Sequence, residues 1–186
     1  MKVLFNAQIL PVGRSDKMDK EKNIDKSRLK LMGANHSDDY YTPDEAFDLL
    51  KRFIPENKVI FECAVGTGKL KNKMEREGFK VVCSNDFFND FPQYDVLITN
   101  PPFSLKDQFL KEAYHRGKPF AFLLPITALE GIKRQEMYLK HGLQILFPKR
   151  RYNFAENKKS PWFYTAWFCW KIEGMNVLQF EDDYTK

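Results

Sequence analysis

The chain is poor in the residues that build metal and disulfide scaffolds. Its three cysteines, Cys63, Cys83 and Cys169, are odd in number and far apart, each in a strand-like context. Reduced core thiols in a cytoplasmic protein are therefore expected, with neither a disulfide framework nor a zinc site. No apolar run approaches the length of a membrane span. The early apolar stretch, residues 3–12, is broken by Asn6 and Gln8 and has no cleavage pattern, so neither secretion nor membrane insertion is expected. At 186 residues the chain suits one domain with a proper core.

Two nucleotide-binding loops are also missing. Residues 58–62 form an apolar run that enters a glycine loop, Glu62-Cys63-Ala64-Val65-Gly66-Thr67-Gly68, ahead of a helical-looking segment at 69–78. A dinucleotide fingerprint needs a third glycine where Lys71 stands. A Walker A loop needs glycine at Cys63 and Ser or Thr at Leu70. What remains is Glu-x-x-x-Gly-x-Gly, in which Gly66 and Gly68 permit a tight turn and close approach of the backbone to a ligand.

A second stretch carries the chemistry. The run Asp95-Val96-Leu97-Ile98-Thr99 meets Asn100-Pro101-Pro102-Phe103. Proline has no N–H for a ladder and holds the preceding residue extended, so the run reads as a buried strand with Asn100 at its tip. The Asn100 side-chain carbonyl and the Pro101 main-chain carbonyl can accept two hydrogen bonds from one flat NH2 group, and Phe103 offers a ring for stacking. Such an amine, on adenine, cytosine or an amide, is a poor nucleophile because its lone pair is delocalised. Two acceptors aimed at its hydrogens stabilise the positive charge that develops during attack. A plain strand-to-loop stop is the alternative reading of Asn-Pro-Pro.

Together, Glu62 to Gly68 and Asn100-Pro101-Pro102-Phe103 resemble the class I S-adenosylmethionine-dependent amino-methyltransferases, and most closely the small phage or prophage DNA N6-adenine methyltransferases. The resemblance extends upstream to Tyr40-Tyr41-Thr42-Pro43 and covers residues 38–172. It implies S-adenosylmethionine as cofactor and S-adenosylhomocysteine as product. It implies catalysis by Asn100, Pro101, Pro102 and Phe103, with the cofactor held by Tyr41, Thr42, Pro43, Glu62, Ala64, Gly66, Gly68, Asp86, Asp90, Phe91 and Asn100. Thr42 also reads as a helix N-cap, with Pro43 at the first helical position and Glu45 completing a capping box.

Residues 79–83 read as the second strand, and an acidic residue near its tip, Asp86, suits ribose hydroxyls. The resemblance places Asp90 near the cofactor amino group and Phe91 against its ring. Only eight residues separate Asp86 from Asp95, too few for a helix and another strand, so an edge strand is expected to be missing. Helices at 105–116 and 131–141, and strands at 119–124, 143–147 and 164–170, complete an α/β pattern. The fold expected is a Rossmann-like, doubly wound, mainly parallel sheet, to which the resemblance adds a C-terminal antiparallel strand. His115 and His141, near helix ends, read as capping or surface residues rather than metal ligands.

The net charge of +5 is uneven: residues 1–35 hold eight Lys/Arg against four Asp/Glu. Residues 1–37 thus form a basic arm ahead of the transferase domain at 38–186, either a solvated tail or a phosphate-contacting segment. A second basic stretch, Lys149, Arg150, Arg151, Lys158 and Lys159, is interleaved with Tyr152, Phe154 and Trp162. Phosphate contact with base stacking is one reading, with Lys149, Arg150, Arg151 and Phe154 as substrate contacts. A solvated hairpin with its aromatics turned into the core is the other.

The partner expected is nucleic acid, DNA ahead of RNA. No stretch is long enough for a separate target-recognition domain, so specificity should be short or loose, or depend on a partner or on single strands. Cytosine N4, a guanine amino group or a protein glutamine amide presents the same planar-amine problem, and a catalytically dead nucleic-acid-binding module is the non-enzymatic reading.

Overall fold

The computed structural model describes residues 42–154 and 163–181. The basic arm, Tyr41, and the stretch 155–162 with Lys158, Lys159 and Trp162 lie outside the described residues.

The strands are β1 (Val59–Glu62), β2 (Lys80–Cys83), β3 (Val96–Thr99), β4 (Phe120–Pro125), β5 (Gln144–Phe147), β6 (Thr165–Trp170) and β7 (Leu178–Phe180). The helices are α1 (Asp44–Lys51), α2 (Lys69–Arg76), α3 (Lys106–Arg116) and α4 (Ile132–His141). They build one mixed sheet in the order β2-β1-β3-β4-β6-β5-β7. β1 to β4 run parallel, and β6 is antiparallel to both β4 and β5. The architecture is the Rossmann-like one that the alternation of elements predicts. Between β2 and β3 there is neither helix nor strand, which leaves β2 at the sheet edge.

Period-two alternation sorts the strand residues into two core layers. Ile60, Ile98, Leu123 and Trp167 pack with Phe47 and Leu50 of α1 and Met74 of α2. Phe61, Leu97, Phe122 and Phe168 pack with Phe109 and Leu110 of α3 on the other face. β3, β4 and most of β6 are buried on both sides, which is why they read as continuous apolar runs. Full burial of each such Phe or Leu is worth about 1.5–3 kcal/mol. Trp167 also donates its indole N–H to the Ala46 carbonyl at 2.8 Å, tying α1 to the sheet.

Three local expectations are corrected. Thr42 does not cap α1: Pro43, with φ −70° and ψ 149°, occupies the cap position without a side-chain bond, and Thr42 is buried. The proline holds the chain extended one residue longer than the capping box requires. Cys83 is exposed, unlike Cys63 and Cys169, because no strand covers β2. β7 is an additional strand parallel to β5, anchored by Phe180 stacked on Phe147 at 4.9 Å. Among the described residues no helix is long and apolar enough to cross a membrane.

Candidate active site

β1 is the point at which the strand order reverses, because β2 lies on one side of it and β3 on the other. In open α/β sheets ligands bind at such a switch point, beyond the carboxyl ends of the strands. The exits of β1, β2 and β3 meet there.

Glu62, the last residue of β1, is only 1% exposed. Its Oε1 accepts the Ala64 N–H at 3.0 Å and the Thr99 hydroxyl from the end of β3. Burial is the largest influence on this carboxyl and raises its pKa to about 7, against the opposing pull of the Thr99 and Ala64 hydrogen bonds. The loop then turns tightly, with the Gly68 N–H on the Val65 carbonyl at 2.7 Å. Gly66 and Gly68 take φ of +51° and +80°, a left-handed backbone that favours glycine. Gly68 leads directly into α2.

At the β2 exit, Ser84 donates its backbone N–H to the Glu62 carbonyl at 3.1 Å. Its hydroxyl accepts the Asp86 N–H at 2.8 Å and donates to the Asp90 carboxylate. Asn89 donates to both Asp86 carboxylate oxygens, at 2.7 and 2.9 Å. Phe91 is 68% exposed, with the Arg116 guanidinium 4.6 Å from its ring centroid.

At the β3 exit the Asn100 Oδ1 and Pro101 are buried. Phe103 opens a single 3-10 turn, Phe103–Leu105, and accepts Lys106 Nζ at its carbonyl at 3.1 Å. Its half-buried ring meets Phe163 edge-on at 5.8 Å. Phe163 lies at 6.2 Å on Phe154, which is 3% exposed and packs against Tyr152. Phe154 thus sits behind Phe103, in the core, while Lys149, Arg150 and Arg151 are exposed on the connection that carries it.

The structure therefore gathers Glu62, Ala64, Gly66, Gly68, Asp86, Asp90 and Asn100 to Phe103 around three adjacent strand ends. Thr42 and Pro43 stand at the start of α1, which packs on α2 through Lys73–Asp48 at 2.8 Å and Lys51–Glu77 at 2.6 Å. His115 is exposed, and His141 stacks on Tyr114 at 4.7 Å. Sequence reasoning missed Thr99, Ser84 and Arg116. Thr99 had a signal, a polar residue closing an apolar strand next to Asn100. Arg116 had only an i,i+4 pairing with Glu112, and nothing local to link it to its partners in the turn, Phe87, Asp90 and Phe91, which lie 25 to 29 residues away.

The donor set suits S-adenosylmethionine. A carboxylate lies at the base of the glycine loop and carboxylates at the next strand exit, and the loop's left-handed glycines bring backbone close to whatever sits above.

No family model and no curated protein matches the chain. Solved structures do. A provisionally assigned class I S-adenosylmethionine-dependent methyltransferase from Listeria monocytogenes superposes with a TM-score of 0.52 at 14% identity, over 85% of this chain and 71% of that one. A dimethyladenosine transferase from Plasmodium falciparum gives 0.43 at 13% identity, over 70% and 62%. A modification subunit of a provisionally assigned type I restriction enzyme from Vibrio vulnificus gives 0.48 at 16%, over 77% and 47%. The chain spans less than two thirds of the last two. What it shares with the Listeria protein is the fold: a Rossmann-like sheet whose C-terminal part carries an antiparallel strand.

Proposed function

We propose that the chain is an S-adenosylmethionine-dependent methyltransferase acting on the N6 amino group of adenine in DNA. The observation that carries this reading is the hydrogen bond from Thr99 to Glu62. It locks the strand end bearing Asn100-Pro101-Pro102-Phe103 to the base of the glycine loop, so that an amine site and a cofactor site share one switch point.

When bound, S-adenosylmethionine supplies an electrophilic methyl group. Glu62, Ala64, Gly66 and Gly68 hold the methionine half of the cofactor together with Tyr41, Thr42 and Pro43, and Asp86 accepts the ribose hydroxyls. Asp90 and Phe91 adjoin the adenine ring of the cofactor. Asn100 Oδ1 and the Pro101 carbonyl accept the two hydrogens of the substrate amine. They draw its lone pair out of conjugation and stabilise the charge that forms on nitrogen. No strong base is needed before attack, and the surplus proton leaves afterwards to solvent. Phe103 stacks on the base. Exposed Lys149, Arg150 and Arg151 meet phosphates, and Phe154 supports Phe103 through Phe163.

Asn100→Ala tests the amine site. Transfer should fall by about 10²-fold or more, as for loss of one group aimed at developing charge. Calorimetric affinity for S-adenosylhomocysteine should change by only a few fold. Retained transfer would remove Asn100 from the chemistry. Supplying single-stranded DNA, duplex DNA, RNA and protein separately identifies the polymer. Single strands should be favoured, since a base in a duplex must first be flipped out at a cost of a few kcal/mol.

A further inference from the structure

Residues 84–95 join β2 to β3 without a helix or a strand, so the turn bearing Asp86 and Asp90 has no regular element of its own to lean on. One side chain from the opposite end of the following crossover supplies the support. Arg116, the last residue of α3, donates Nη1 to the Asp90 carbonyl at 3.0 Å and Nη2 to the Phe87 carbonyl. Its Nε donates to Glu112 at 2.8 Å, which balances its charge. The flat guanidinium lies between two rings, 4.3 Å from the centroid of buried Phe87 and 4.6 Å from that of exposed Phe91. Only 6% of the side chain reaches solvent. Each of its nitrogens is committed, and a lysine could reproduce neither the fork nor the stacking.

We propose that Arg116 is a positioning residue for the adenosyl half of the cofactor. It clamps the turn from Asp86 to Phe91 in place of the missing edge strand. This rests on the reading of S-adenosylmethionine as cofactor. The clamp fixes the Phe87 and Asp90 carbonyls, while Ser84, just before the turn, holds the Asp90 carboxylate and Asn89, within it, holds that of Asp86. Releasing it lets Asp86 and Asp90 drift while leaving Asn100, on a different strand, untouched. Its loss therefore weakens cofactor binding and spares the transfer step.

The test uses the full chain with Arg116→Lys and Glu112→Ala, the second a part-exposed change outside the cofactor-holding residues that removes the Arg116 Nε acceptor and keeps the question answerable should the first fail to fold. Binding of S-adenosylhomocysteine is measured by calorimetry and amide exchange by mass spectrometry. Arg116→Lys should weaken binding about tenfold, the scale of losing a hydrogen bond to a charged donor. KM for S-adenosylmethionine should rise in step while kcat stays within about twofold. The amides of Asn89 and Asp90, which bond to the Asp86 carbonyl at 3.1 and 2.9 Å, should exchange faster. Glu112→Ala should weaken binding a few fold, because Arg116 then holds the turn without its charged partner. A wild-type chain that binds S-adenosylhomocysteine while both variants bind it equally well overturns the role of Arg116 alone. A wild-type chain with no affinity for it overturns the cofactor reading and this role with it.

Discussion

Replacing Glu62 by Gln should change how the stability of the protein depends on pH. The folded carboxyl has its pKa raised from 4.5 to about 7 because burial disfavours the ionised form. Between those two values the folded state binds the proton more strongly than the unfolded chain does. Stability from this group is therefore complete below about pH 4.5 and is lost as pH rises through about 7. The shift of some two and a half units corresponds to about 3 kcal/mol. Glutamine keeps an acceptor for the Ala64 N–H and the Thr99 hydroxyl but buries an extra amide donor, adding an offset of about 1–3 kcal/mol that does not vary with pH. The informative quantity is therefore the slope. Urea unfolding of wild type and Glu62→Gln from pH 4.5 to pH 8 should show the difference in stability moving toward the variant by about 3 kcal/mol. Parallel pH profiles would refute the argument that Glu62 is a desolvated carboxyl.

Three further outcomes follow from the same geometry. Phe103→Ala should raise KM for the nucleic acid roughly 5- to 150-fold, the range for one lost base stack, with S-adenosylhomocysteine affinity unchanged in calorimetry. Changing Lys149, Arg150 and Arg151 together to Ala should weaken nucleic-acid binding across all sequences and reduce the salt slope by up to about three, one per phosphate contact, as measured by fluorescence anisotropy at several salt concentrations. Trp167→Phe removes the indole donor from the Ala46 carbonyl and part of a fully buried ring, and should cost about 2–4 kcal/mol in denaturant unfolding without altering KM for either substrate.

The parts of the site written in local backbone chemistry were legible in the sequence. Pro101 and Pro102 fix where β3 must stop, and Gly66 and Gly68 take conformations that other residues avoid, so both loops could be placed from residue type alone. The shortened connection was legible by counting, since eight residues cannot hold a helix and a strand. Its consequences were not. With β2 left at the edge, Cys83 is exposed although it looks like a core thiol, and Arg116 takes up a supporting role that no spacing rule signals. β7 escaped notice because it is three residues long and exposes Leu178 and Phe180. Phe154 could be read as a stacking residue or a core residue. Burial puts its ring in the core, one layer behind Phe103, where it depends on Phe163 for any influence on the site.

The most direct test of the account is transfer of a labelled methyl group from S-adenosylmethionine to single-stranded DNA, duplex DNA, RNA and a protein mixture, followed by nucleoside analysis and repeated with Asn100→Ala. The account predicts N6-methyldeoxyadenosine from DNA with the wild-type chain and a loss of about 10²-fold or more with the variant. Label confined to protein, or equal transfer by Asn100→Ala, would contradict it.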